Sequence, residues 1–396
     1  MRIVRDRQSD ILAGVKSADV VVIGGGIIGC SAAAIMADRG ARVILVEGSQ
    51  IGAGASGRNL GAIQHPLDPA LTALYHESLT RYHALADSGI GDFTIARDPA
   101  GLLLLSRDAD AAARQADRLR EAAPELDPRP LDAAALHDEE PSLADGLSAV
   151  WLATGYPVPP AAATQAWADL AEERRARFVI GSPARVDAAE GSATGVTLDD
   201  GTRIAAGAVL VAAGPWTPGL VDPDGGWRPI VATYGVTVQL RLTDGTAPTR
   251  ILEEDEVDAV NRAVAATERA GTADPAGDPP SLFSLASAAG VSTLGSTFLP
   301  SEPDPVSLAQ LLLRRATAFL PAIADAEVMG RRMCARPQSI DGRPFIGAVG
   351  GVDGLFVCAG HGPWGISTGP ASAALVARAI LDGTPPPPEL AASRPT

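Results

Sequence analysis

Val20-Val21-Val22-Ile23-Gly24-Gly25-Gly26-Ile27-Ile28-Gly29-Cys30, closed by Val43-Ile44-Leu45-Val46-Glu47, contains every part of a dinucleotide-binding crossover. Val20 to Ile23 is a short β-branched run suited to a strand buried on both faces, and Ser31 to Arg39 is an Ala-rich helical stretch that Gly40 ends. The glycines between them divide three tasks. Gly24 permits the tight turn, Gly26 lets a pyrophosphate approach the backbone, and Gly29 lets the helix lie close to the strand. Glu47 ends the second strand 21 positions after Gly26, near the offset at which an acid meets a ribose hydroxyl. A glycine-rich turn in some other α/β protein would leave Glu47 unexplained.

The bulk properties bound the rest. At 396 residues the chain is too long for one ordinary core, which predicts two domains sharing an interface. A net charge of -15 argues against nucleic acid and anionic membrane surfaces as partners. Lys16 is the single lysine, so the cations are almost all arginines. Cys30, Cys334 and Cys358 are too widely spaced for a disulfide framework or a zinc site, which suits a reducing compartment. Met1 to Lys16 is charged and lacks the apolar core of a signal peptide, and no run of about 18 apolar residues follows. The expectation is a cytoplasmic protein without membrane insertion. The acid runs Asp138-Glu139-Glu140 and Glu253-Glu254-Asp255-Glu256 read as solvated surface, since consecutive acids do not converge on one ion, and no metal site is expected.

Outward from the crossover, Ile51 to Gly61 is a glycine-rich stretch that predicts a loop with a backbone task. Helices are expected at Pro69 to Ala86, Asp108 to Ala122, Ala161 to Arg177 and Ser307 to Phe319, with a small antiparallel meander between Ala184 and Ile204. Ala208-Val209-Leu210-Val211-Ala212-Ala213-Gly214-Pro215-Trp216 is an apolar strand ending where a nucleotide-binding sheet would meet its cofactor again. Pro229 to Leu242, Ser281 to Leu285 and Val291 to Phe298 have β character around a Pro/Gly/Asp-rich loop at 271–280 and form a plausible wall for a substrate. Gly354 to Ala359 reads as a strand, and Gly369 before Pro370 as a favourable helix start. The fold class is therefore α/β plus α+β, a Rossmann-like cofactor domain (1–90, 145–228 and 331–396) with an antiparallel-sheet substrate domain (91–144 and 229–330).

Five motifs in order, the crossover, Gly54-Ala55-Ser56-Gly57-Arg58-Asn59, Ala212-Ala213-Gly214-Pro215-Trp216, Arg336-Pro337-Gln338-Ser339-Ile340-Asp341-Gly342-Arg343-Pro344 and Gly360-His361-Gly362-Pro363-Trp364-Gly365-Ile366, resemble the FAD-dependent D-amino acid oxidase superfamily. Within it the chain is similar to glycine oxidase and sarcosine oxidase-like enzymes from about Asp19 to Asp382. The resemblance implies FAD as cofactor. It puts Ile27 and Ile28 at the pyrophosphate, Glu47 and Gly48 at the adenosine ribose, and Ala55, Ser56, Arg58, Asn59 and Leu60 along the phosphate and ribityl path. Val186 is implied on the adenine side, while Ala213 and Gly214, with Trp216 after them, close the pocket. His361, Gly362, Pro363, Trp364, Gly365, Ile366 and Ser367 would lie beside the isoalloxazine, where a helix N-terminus favours the charge of a reduced flavin.

On the substrate side, Arg336 resembles the family arginine that grips a carboxylate with its planar fork, with Arg332 and Arg343 as competitors. Phe283 stands where glycine oxidase has a carboxylate-binding tyrosine, and Pro363 where it has a second arginine. Binding is therefore expected to rest on Arg336 with Tyr234 or a backbone N–H, in a pocket made aromatic by Phe283 and Trp364 and suited to bulky or N-substituted substrates. His65 is a further candidate near the active site. Cys334 falls where sarcosine oxidase attaches its flavin covalently, although a small buried thiol is the commoner state. The lysine that assists oxygen in sarcosine oxidase has no counterpart beyond Lys16.

The expected activity is oxidation of the C–N bond of a carboxylate-bearing amine (glycine, an N-substituted glycine, a D-amino acid or an imino acid), with hydride transfer to flavin N5 and hydrolysis of the imine. Oxygen or another acceptor would take the electrons. An NAD-dependent dehydrogenase and an electron-relay flavoprotein subunit are the rivals. Acceptor, flavin linkage and homo-oligomer formation stay open.

Overall fold

The computed structural model describes residues 17–255 and 281–395. Lys16, Glu256 and the 271–280 loop lie outside the described residues.

The first sheet runs Phe345–Ala348, Leu355–Ala359, Arg203–Val211, Ser17–Ile23, Val43–Glu47, Arg177–Ile180. Along this order the pairings are parallel except at the Phe345–Ala348 edge, and Ser192–Leu198 and Ala184–Ala189 extend the same sheet antiparallel from Arg203–Val211. Val21, Val22 and Leu45 are fully buried, as strands covered on both faces require. Helices Ile27–Asp38, Pro160–Glu173, Pro69–Asp87 and Gly365–Asp382 cover one face. The other face packs under the meander Ala184–Ala189 and Ser192–Leu198. That meander does not end before the return strand, because Arg203–Val211 is one continuous strand pairing with Ser192–Leu198 at its start and with Ser17–Ile23 along its length.

The second sheet runs Glu327–Ser339, Ile230–Arg241, Val291–Thr297, Ser281–Ala288, Ile251–Glu254, Leu102–Ser106, Ser148–Leu152, Arg129–Leu131. It is antiparallel apart from the parallel pair Ile251–Glu254 and Leu102–Ser106. Helix Pro305–Thr317, capped by the Asp304 carboxylate, buries Ala309, Leu312 and Ala316 against one face. Two strands pair differently from the predicted segments: Ser148–Leu152 and Glu327–Ser339 belong to this sheet, whereas 145–228 and 331–396 are expected with the cofactor domain. Their backbone partners decide the matter, since Ile230 to Arg241 pairs along its whole length with Glu327–Ser339.

Two local expectations are corrected. The glycine-rich stretch is not all loop: Ala55–Arg58 forms one helical turn, tied by the Asn59 amide to the Ala55 and Ser56 carbonyls. The last helix begins at Gly365, and Pro370 lies inside it. Proline has no N–H to give the Ile366 carbonyl one turn back, so that acceptor needs another donor. The buried Tyr82 hydroxyl supplies it at 2.7 Å.

Candidate active site

The ends of the parallel strands face the second sheet across a cavity of about 850 Å³. The glycine turn forms one end. A side chain on Gly29 would overlap the Gly24 carbonyl, so the glycine is what allows the helix to start so close to the strand. Glu47 closes the turn, its carboxylate accepting the Gly25 N–H at 2.6 Å and the Ser49 N–H at 2.8 Å. The Ile27 N–H donates to Ser56 Oγ at 2.9 Å, which ties the turn to the one-turn helix.

Two helix N-termini point into the cavity without a capping side chain or an acid in the first turn, those of Ile27–Asp38 and Gly365–Asp382. Their dipoles, and the first-turn N–H groups other than that of Ile27, favour an anion. Beside the second lies His361, whose Nε2 is buried without a hydrogen-bond partner. Burial pushes its imidazole down to about 3, so the ring is neutral near pH 7.

Across the cavity the three candidate arginines separate. Arg343 is spent on a two-bond ion pair with Asp68. Arg332 binds the Gly57 and Asn59 carbonyls, holding the glycine-rich stretch to the second sheet. Arg336 lines the cavity, donating to the Thr297 carbonyl at 2.9 Å and to Ser296 Oγ, with its guanidinium 5.0 Å from the Phe298 ring centroid. Gly235 opposes Cys334 on the neighbouring strand, and any side chain there would strike the Arg336 guanidinium. Among the described residues no carboxylate forms an ion pair with Arg336. Burial lowers its pKa, but a guanidinium stays charged. The Cys334 thiol also lines the cavity, pushed up by burial against the opposing pull of Arg336, Arg332 and Arg58.

Most of the predicted cofactor residues meet at this cavity. Gly24, Gly26, Ile27 and Ile28 line it, as do Glu47 and Gly48, Ala55, Ser56, Arg58, Asn59 and Leu60. Ala213, Gly214 and Trp216, and the run from His361 to Ser367 including Trp364, complete that side. Gly29 sits behind the turn. Val186 does not reach the cavity: it packs against an apolar cluster farther along its strand, and Pro183 and Ala184 occupy the lining instead.

Three substrate-side candidates are not brought to the cavity, each because neighbouring residues of an extended chain face opposite ways. Phe283 stacks on Phe319 in the core, ring centroids 5.0 Å apart, while Ser284 lines the cavity. Tyr234 pairs with Ala335, one residue out of phase with Arg336. His65 is buried against Tyr75 and His76, with its pKa lowered by burial and then by His76, while Gln64 lines the cavity. The aromatic character expected of Phe283 is supplied by Phe298, whose position at the end of a predicted strand was the only signal.

The acid runs are corrected as well. Glu140 is buried and accepts the Thr249 and Arg250 N–H groups. Glu254 forms a two-bond pair with Arg315, and Glu253 lines the cavity.

The FAD dependent oxidoreductase family model (DAO) matches residues 19–379. The chain belongs to this family. It is 29% identical over 392 residues to a glycine oxidase of Pseudomonas aeruginosa, covering 93% of this chain and 95% of the relative. Its fold is similar to the crystal structure of glycine oxidase from Geobacillus kaustophilus, with TM-score 0.79, 23% identity and 96% and 100% of the two chains covered. It is also similar to iminodiacetate oxidase from Chelativorans sp. BNC1, with TM-score 0.76, 22% identity and 94% and 98% covered.

The residues present fit the FAD of this family. The helix start at Ile27, with glycine at its N-cap, suits the pyrophosphate, Glu47 suits a ribose, and the orphaned His361 Nε2 with the Gly365 helix start suits the polar edge of the isoalloxazine. The chain is an FAD-dependent oxidoreductase. Among the described residues no helix is long and apolar enough to cross a membrane.

Proposed function

We propose that this chain oxidises the C–N bond of an amine that carries a carboxylate. The observation that carries this reading is Arg336, a half-buried arginine whose guanidinium faces the cavity with a backbone carbonyl and a hydroxyl as partners and no ion-paired acid among the described residues. A partly desolvated cation of this kind gains most from an anionic ligand that can use its fork. The glycine oxidase and iminodiacetate oxidase names of similar proteins support the same substrate class.

Arg336 binds the carboxylate and thereby fixes the carbon attached to it. Phe298 and Trp364 exclude water from that carbon and favour a bulky or N-substituted amine over free glycine. FAD supplies the two-electron acceptor for the hydride that leaves this carbon. If the amine binds neutral, no protein base is required, and neither His361 nor His65 is assigned that task. The imine takes up water to give a carbonyl compound with ammonia or a primary amine. Oxygen or another electron acceptor is the second substrate. The reading is tested by anaerobic mixing with N-alkylglycines, glycine, D-amino acids and proline analogues: at least one bleaches the flavin absorbance, and bleaching by none of them sinks the proposal.

A further inference from the structure

The cavity lining contains a buried amide that the proposed reaction does not use. Gln64 is 8% exposed and follows the short strand Ala62–Ile63. Its backbone is held on both sides: its own N–H donates to Ser367 Oγ at 3.0 Å, and the next N–H, that of His65, donates to Thr154 Oγ1 at 2.9 Å. Its amide nitrogen donates to Glu253 Oε1 at 3.0 Å. A carboxylate only accepts, so the nitrogen and not the oxygen faces it, and the orientation of the amide is fixed. The other end, Oε1, is buried without a hydrogen-bond partner among the described residues. A buried acceptor without a donor is costly, which points to a donor that arrives with a ligand.

The register of the second sheet relates this amide to Arg336. Glu253 opposes Ser284, Ser284 opposes Gly295, and a side chain on Gly295 would lie against Thr237, which opposes Arg332. Arg336, an even number of residues from Arg332 on the same strand, shares that face. Its guanidinium passes over Gly235 to reach Ser296 and the Thr297 carbonyl on the strand Val291–Thr297. Two strand spacings separate that strand from the one that carries Glu253, a gap on the order of 10 Å. The Gln64 side chain therefore leaves a backbone tied to the cofactor side and ends at the substrate wall. Two hydrogen bonds of about 3 Å each, with the short span from a carboxylate to an α-nitrogen between them, bridge a gap of this size.

We propose that Gln64 is a specificity-determining residue whose Oε1 accepts a hydrogen bond from the N–H of the substrate amine, so that the preferred substrates are primary and secondary amines. This rests on the reading of Arg336 as the carboxylate site. A neutral tertiary amine has no N–H and would leave the oxygen unpaired, so N,N-dialkyl amino acids are disfavoured. With the carboxylate at Arg336 and the nitrogen at Gln64, the carbon between them turns only about the line joining the two contacts, which selects the C–H that faces the FAD.

The test uses the holoenzyme and calorimetric binding of pyrrole-2-carboxylate against furan-2-carboxylate. The rings have nearly the same shape, and neither has a hydrogen on the carbon that bears the carboxylate, so neither is turned over. They differ in placing an N–H donor or an ether oxygen where the amine would lie. Pyrrole-2-carboxylate binds at least about tenfold tighter to the wild type. Gln64→Met keeps the length of the side chain without the acceptor and brings the ratio toward one by weakening the pyrrole alone, whereas general damage to the cavity would weaken both ligands. Gln64→Asn, a smaller change that withdraws the oxygen by one methylene, lowers the ratio in the same direction. A wild-type ratio of one overturns this inference and leaves the carboxylate reading standing. A ratio that survives in both variants overturns it equally, and if their FAD content falls the oxygen belongs to the cofactor. If neither ring binds, the carboxylate reading falls and this inference with it.

Discussion

Arg336, half-buried, and His361, fully buried, are ionisable side chains that meet opposite fates. Arg336 stays charged because its intrinsic basicity exceeds what burial removes, and Gly235 makes the space for it. Gly235→Ala therefore displaces the end of a flexible side chain rather than the backbone. The variant is expected to keep its flavin and its thermal stability while losing affinity for carboxylate ligands by roughly 100-fold, as fits the loss of about 3 kcal/mol from a charge-assisted fork. Parallel measurements of melting and of carboxylate binding check this. A variant that binds carboxylates normally would show that the guanidinium does not need that position.

His361 Nε2 has no protein partner among the described residues, and burial keeps the ring neutral. Its folded pKa of about 3 lies below the ordinary 6.5, so the unfolded chain binds more protons between those values. Its neutral form is accommodated without cost above about pH 6.5, and stability is lost as pH falls from there toward 3, by up to about 1.4 kcal/mol per unit. Denaturant unfolding at a series of pH values should show this slope in the wild type and a shallower one in His361→Gln. Identical slopes would contradict the assignment.

At the scale of elements, the C-terminal helix shows how a site is held together. Pro370 removes the donor that Ile366 would have used, and Tyr82 from a neighbouring helix replaces it. Tyr82→Phe should cost about 1–3 kcal/mol, the penalty of a buried unsatisfied carbonyl, and should cost less in a Pro370→Ala background where the N–H is restored. A double-mutant cycle in denaturant measures the difference, and additive effects would rule out the compensation. Proline after glycine reads locally as a helix start, and the tyrosine that permits an earlier start is 284 residues away.

The same distinction governs what was legible elsewhere. The glycine turn was readable because its strand, glycines, helix and acid are contiguous and each has a local reason. The substrate wall was not, because strand parity decides which residues enter the cavity and a one-residue difference reverses the outcome. Phe283 and Ser284 form one such pair, His65 and Gln64 another. In the run Glu253-Glu254, consecutive acids resemble a solvated face, yet one lines the cavity and the other pairs with Arg315.

At the scale of the whole molecule, the first sheet supplies helix N-termini and glycine turns suited to FAD, and the second supplies arginine, serine and aromatic side chains across the same cavity. Five ordered motifs revealed the cofactor side and the family. The second sheet's membership, including Ser148–Leu152 and Glu327–Ser339, depends on long-range backbone pairing that no local pattern encodes. The proposed activity joins the two sides: a carboxylate held at Arg336 would present its neighbouring C–H to the FAD. The direct measurement is anaerobic flavin reduction by matched substrates, an N-alkylglycine against its amide, in wild type and Arg336→Ala. The account predicts rapid bleaching by the acid alone in wild type, and loss of that advantage in the variant. Equal reduction by acid and amide, or an advantage that persists without Arg336, would contradict it.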